Sequence, residues 1–122
     1  MQISDLAQHG FNIEEAMGVF CIGDEDIYRE VLETALEEGR EKIPLLEELM
    51  EKSDFERYII EAHGLKNAAK QIGAENLSEL AKSSELEGKA GHIDYVKENH
   101  EKLMKLIKKL LIHCPYYLCN TQ

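Results

Sequence analysis

Apolar residues recur at spacings of three and four along most of this chain, and nowhere alternate as they would in a strand, so helices are predicted. Phe11, Ile13, Ala16, Met17 and Phe20 follow Asn12, a residue able to cap, and predict a short helix that must lie across something larger. Cys21-Ile22-Gly23 ends it. Asp24 then opens a long helix, with acids in its first turn that suit the positive end of the dipole. Its stripe is Ile27, Tyr28, Val31, Leu32, Ala35 and Leu36, continued by Ile43, Leu46, Leu49 and Met50. Pro44, with Gly39 nearby, predicts a kink around Arg40 to Ile43; one kinked helix and two helices both fit. Ser53-Asp54 supplies a turn and a cap for the next helix, which stops at Gly73. Leu77, Leu80, Ala81, Ser84 and Gly88 mark another, whose inner positions shrink toward its end and so admit a close neighbour. Gly91-His92 closes it. Asp94 starts the last helix, on Val96, His100, Leu103, Ile107 and Leu110, before Pro115. The expectation is all-α: an up-down-up-down antiparallel four-helix bundle with a short extra N-terminal helix. Residues 1–10 read as a lead-in, 11–113 as the bundle and 114–122 as a C-terminal tail.

Composition narrows the classes. A length of 122 residues suits one domain with its own core, and a hydrophobic share of 43% argues against a disordered acidic tail. The apolar runs are far short of a membrane span, and the N-terminus lacks a signal-peptide pattern. Three scattered cysteines, Cys21, Cys114 and Cys119, do not make a secreted disulfide framework, so a cytoplasmic protein is expected. A formal charge of −10 speaks against nucleic acid as a partner. That charge is uneven: Asp24 to Glu61 carries fourteen acids against five bases, whereas Ala62 to Ala74 holds Lys66, Lys70 and no acid. A basic island in an acidic chain is where an anionic group would be handled, although lysines that merely solubilise a helix are the plainer reading.

On a helical wheel of ~100° per residue with Ala62 at zero, Phe55, Tyr58, Ile59, Leu65, Ala69 and Ile72 lie within roughly 80° of the buried direction. His63 falls at ~100°, Lys70 at ~80° and Lys66 at ~40°, so the imidazole stands just outside the stripe with two ammonium groups along its edge. An exposed imidazole beside two cations in a patch free of acids suits a phosphoryl group better than a metal. Ile60, Gly64, Asn67 and Gln71 fall at roughly 140° to 200° and face away from the core, which reads as a docking surface for an apolar partner helix.

The stretch His63-Gly64-Leu65-Lys66, followed by Ile72-Gly73-Ala74 and Leu77, resembles the signature of histidine phosphotransfer (HPt) domains. Asn67 stands where that family usually has glycine, which lets a partner's backbone approach, and Lys70 where a small residue is common. Gly10-Phe11-Asn12-Ile13 and Gly23-Asp24-Glu25-Asp26-Ile27-Tyr28 extend the likeness over about Gly10 to Ile112. The resemblance implies a phosphocarrier, not an enzyme, that relays a phosphoryl group between receiver-domain aspartates through His63. Response-regulator receiver domains are then the expected partners, with a hybrid histidine kinase as a further candidate, and a monomer is expected. Lys66 and Lys70 would offset phosphoryl charge, and Gln71 is a further candidate to hold a phosphate oxygen or the ring. No metal or cofactor of the chain's own is expected; Mg²⁺ would come with the receiver.

Two other readings stay open. The same residues look like the phosphoacceptor box of a sensor histidine kinase, but Gly64 and Ala68 stand where that box has an acid and a proline. No glycine-rich nucleotide-binding segment is present either. A receiver-binding adaptor that is never phosphorylated is the other. His9, His92 and His100 read as ordinary surface or packed histidines, and His113, Cys114 and Cys119 lack the fourth ligand of a zinc site.

Overall fold

The computed structural model describes residues 11–21 and 23–113; the lead-in and the tail, with His9, Cys114 and Cys119, lie outside them. Five helices follow in order: α1 (Ile13–Phe20), α2 (Glu25–Glu51), α3 (Phe55–Gln71), α4 (Glu75–Lys89) and α5 (Ile93–His113). Asn12, Asp24 and Asp54 each turn a side-chain oxygen back onto first-turn N–H groups, satisfying donors that a helix start leaves free. α2 is one helix, with Pro44 inside it. Pro44 and Arg40 are both exposed, so water can take the carbonyl that the missing N–H leaves unpaired.

α3 packs against α2 and α4, and α5 closes the group by packing against the same two helices. Leu32, Leu36 and Leu46 of α2, Tyr58 and Leu65 of α3, Ile72 just beyond it, and Val96, Leu103 and Ile107 of α5 are essentially removed from water. Removal of such apolar area from water is what drives the helices together. The register of α2 on α3 is set at two points. Tyr28 donates its hydroxyl to the Ile72 carbonyl at 2.7 Å, and Lys42 pairs with Glu61 at 2.6 Å, so the two helices run antiparallel. α3 and α4 make the most extensive contact. Their close approach needs Gly88, where a Cβ would fall 2.6 Å from Ile59. Cys21 is a buried free thiol.

The end of α3 also seats α1. Gly73 has a φ of +79°, and a Cβ there would lie 2.4 Å from the Asn12 carbonyl oxygen. In the space this leaves, Asn12 N–H donates to the Gly73 carbonyl at 2.7 Å, and Phe11 bridges to Ala74. Among the described residues, no helix is long and apolar enough to cross a membrane.

Candidate functional site

His63 stands in the third turn of α3 with 53% of its side chain exposed. Its Nδ1 lies 2.7 Å from Oε2 of Glu85, a residue of α4 whose side chain is only 3% exposed. Glu85 is shared: Lys66 donates to its Oε1 at 3.0 Å and Lys89, one turn along α4, to its Oε2 at 3.0 Å. Burial alone would raise the Glu85 carboxyl, but hydrogen bonds from Lys89, Lys66 and His63 outweigh it and hold the group down to about 2.

An ionised carboxylate can only accept, so the imidazole proton lies on Nδ1 and donates to Glu85. Nε2 is left with its lone pair, on a ring that is half in water. Asn67 stands one turn on, with Nδ2 3.3 Å from Nε2. Lys66 Nζ approaches Nδ1 to 3.4 Å, a contact between two protonated nitrogens that Glu85 holds together. The Lys66 carbonyl in turn accepts from the Ser78 hydroxyl at 3.2 Å, which ties this turn of α3 to α4.

The patch expected to lack acids therefore has Glu85 at its centre, supplied from another helix. Lys66 stands beside the ring as expected, but engaged with Glu85. Lys70 is exposed and forms no ion pair among the described residues; it borders a cleft of about 420 Å³ beside α1 that also holds Lys66 and Lys82 and the acids Glu15, Glu75 and Glu79. Gln71, two turns beyond His63, is exposed, borders a groove with Val31, Thr34 and Ala35 of α2, and makes no hydrogen bond to the imidazole. Gly64 is half-buried, and Lys42 Nζ lies 3.4 Å from where its Cβ would be. Ile60 is 63% exposed, and Leu86, the residue after Glu85, is 54% exposed. His100 is packed, with Nδ1 2.7 Å from the Tyr58 hydroxyl, and His92 pairs with Glu87 at 2.6 Å.

Glu85, Lys89 and Lys42 have no place in the sequence reading, yet two of them carry a signal. Glu85 sits at inner spacing on α4 with Ala81 and Gly88, and Lys42 interrupts the α2 stripe between Leu36 and Leu46. A charged residue on an apolar stripe requires a partner on a neighbouring helix.

Among the described residues, no group of three or more His, Cys, Asp or Glu side chains could hold a metal ion. Helices that anchor one surface histidine to a buried carboxylate, with lysines alongside, define a helical domain built to present an imidazole nitrogen to solvent. The Hpt domain family model matches residues 30–111, and the chain belongs to that family. Hpt domains act in phosphotransfer in two-component systems, as phosphocarriers and not as enzymes, and interact with receiver domains and histidine kinases. Comparison with curated proteins and with solved structures gave no match.

Proposed function

We propose that His63 accepts a phosphoryl group on Nε2 from an aspartyl phosphate of one receiver domain and passes it to an aspartate of another. The observation that carries this is the Glu85 contact, which directs the proton to Nδ1 and the lone pair to the exposed nitrogen. In the first step the Nε2 lone pair attacks phosphorus, the P–O bond to the donor carboxylate breaks, and the carboxylate leaves with the electron pair. The ring then carries the phosphoryl group on Nε2 and a proton on Nδ1, a cation whose charge Glu85 faces. In the second step an acceptor carboxylate oxygen attacks phosphorus, the P–N bond breaks, and its electron pair returns to Nε2. The ring proton never has to move.

Phosphoryl transfer depends chiefly on positioning and on spreading charge away from the phosphoryl oxygens. Lys66 is held at the ring by Glu85, and Lys70, two turns from His63 and without an ion pair among the described residues, supplies a second cation. The partner brings Mg²⁺ and the acceptor carboxylate, so the chain is half of an active site. Ile60 and Asn67 form the docking face together with Leu86. Gly64 contributes by leaving room for the Lys42–Glu61 pair beside His63. Gln71 has no part in this mechanism. The same reading takes residues 11–113 as an up-down-up-down antiparallel four-helix bundle with α1 as the extra helix, supported by the α2–α3 register. It takes the protein to be a cytoplasmic monomer.

The test is to mix the chain with a phosphorylated receiver domain and Mg²⁺ and to follow acid-labile, base-stable label. Uptake from the receiver and not from ATP alone is expected, with His63→Gln abolishing it at unchanged helical content. Lys66→Ala and Lys70→Ala should each slow transfer with smaller effects on binding. Binding without label in the unaltered chain would mean an adaptor, and label from ATP alone would mean a kinase-type acceptor.

A further inference from the structure

One contact on the reactive nitrogen has no role in these steps. Asn67 is exposed on α3, and its Nδ2 lies 3.3 Å from His63 Nε2. With the ring proton held on Nδ1 by Glu85, Nε2 is the acceptor, so the Asn67 amide N–H donates to the lone pair that would attack phosphorus. We infer that Asn67 masks the resting nucleophile and, once Nε2 carries a phosphoryl group, passes the same N–H to a phosphoryl oxygen. The residue is thus a brake on loading and a clasp on the loaded state. This inference rests on the carrier reading of His63.

A lone pair held in a hydrogen bond cannot attack, so the Asn67 contact must open before Nε2 reacts. The side chain is exposed and free to rotate, so opening costs no more than one water-accessible hydrogen bond, about 2- to 5-fold in rate. After transfer the lone pair has become the P–N bond. The phosphoryl oxygens then project into the space that the amide faced. An anionic oxygen is a better acceptor than a neutral ring nitrogen, so the clasp should exceed the brake, at about 3- to 10-fold in lifetime. Lys66 is already bound to buried Glu85, which leaves Asn67 as a donor that can change partners without breaking an ion pair.

The experiment uses phosphoramidate, which needs no partner protein. Nε2 attacks its phosphorus, the P–N bond of the reagent breaks, and ammonia leaves with the electron pair. Loading of His63 and its subsequent hydrolysis are followed by ³¹P NMR in the full chain, in Asn67→Ala, which keeps the helix, and in Asn67→Gly. Both variants are expected to load about 2- to 5-fold faster and to lose the phosphoryl group about 3- to 10-fold sooner. The ¹⁵N resonance of unloaded His63 Nε2 should also move as its donor is lost, which a general loosening of α3 would not produce together with faster loading. Loading or hydrolysis at the unaltered rate in both variants overturns the inference, as does slower loading. Failure of the unaltered chain to load at His63 overturns the carrier reading itself.

Discussion

Glu85→Gln isolates the charge on which the site is built while keeping its shape. The wild-type carboxylate accepts from Lys66 at 3.0 Å, Lys89 at 3.0 Å and His63 at 2.7 Å, with 3% of its side chain exposed. An amide has one oxygen and one NH₂, so its NH₂ faces either Lys66 or both Lys89 and His63, depending on which way it turns. Hydrogen bonds to charged groups are worth about 1.5–3 kcal/mol each when buried. His63 and Lys89 keep access to water and recover much of their share, whereas Lys66, 22% exposed, recovers less. The expected loss is about 1–3 kcal/mol at pH 7, read as a fall in the urea midpoint. The pH dependence has a definite sign. The Glu85 carboxyl is lowered from 4.5 to about 2 in the folded chain, so its stabilisation is present above pH 4.5 and is lost as pH falls through about 2. The gap between wild type and variant should therefore narrow steadily from pH 4.5 to 2.5. Phosphoryl uptake should slow by about 10-fold, the equivalent of ~1.4 kcal/mol from the tautomer preference that the carboxylate enforces. Equal stabilities at pH 7, or a gap unchanged down to pH 2.5, would refute the claim that an ionised carboxylate organises the site.

Gly73→Ala should cost about 2–4 kcal/mol in chemical denaturation, since it combines an unfavourable positive φ with a clash against the Asn12 backbone. Loss of the Phe11–Ala74 bridge, seen as faster amide exchange at Asn12, would accompany it. His100, lowered chiefly by burial, should titrate below the ordinary histidine value of 6.5 in NMR. Its contribution to stability is then complete above pH 6.5 and declines as pH falls below it, and Tyr58→Phe should cost a further 1–2 kcal/mol or so by leaving Nδ1 without its partner.

Within each helix, the sequence by itself determined a good deal. Caps at Asn12, Asp24 and Asp54, the stop at Gly73, the buried stripe of α3 and the outward phase of His63 all follow from 3.6-residue periodicity and local hydrogen bonding. Lys66 beside the ring is legible for the same reason, because residues three apart share a face. Periodicity gives the angle of a residue about its own axis, but not which neighbour covers that angle or at what height. Glu85 lies 22 positions after His63, and it meets the imidazole across the α3–α4 contact, where Gly88 leaves room for Ile59. Gly64 and Gln71 both reach solvent, but only the packing of α2 brings Lys42 beside the first and a groove of Val31, Thr34 and Ala35 beside the second. Helix phase is written in nearby residues, whereas the partner of a buried charge depends on how two helices slide and rotate against each other, and that only tertiary packing decides.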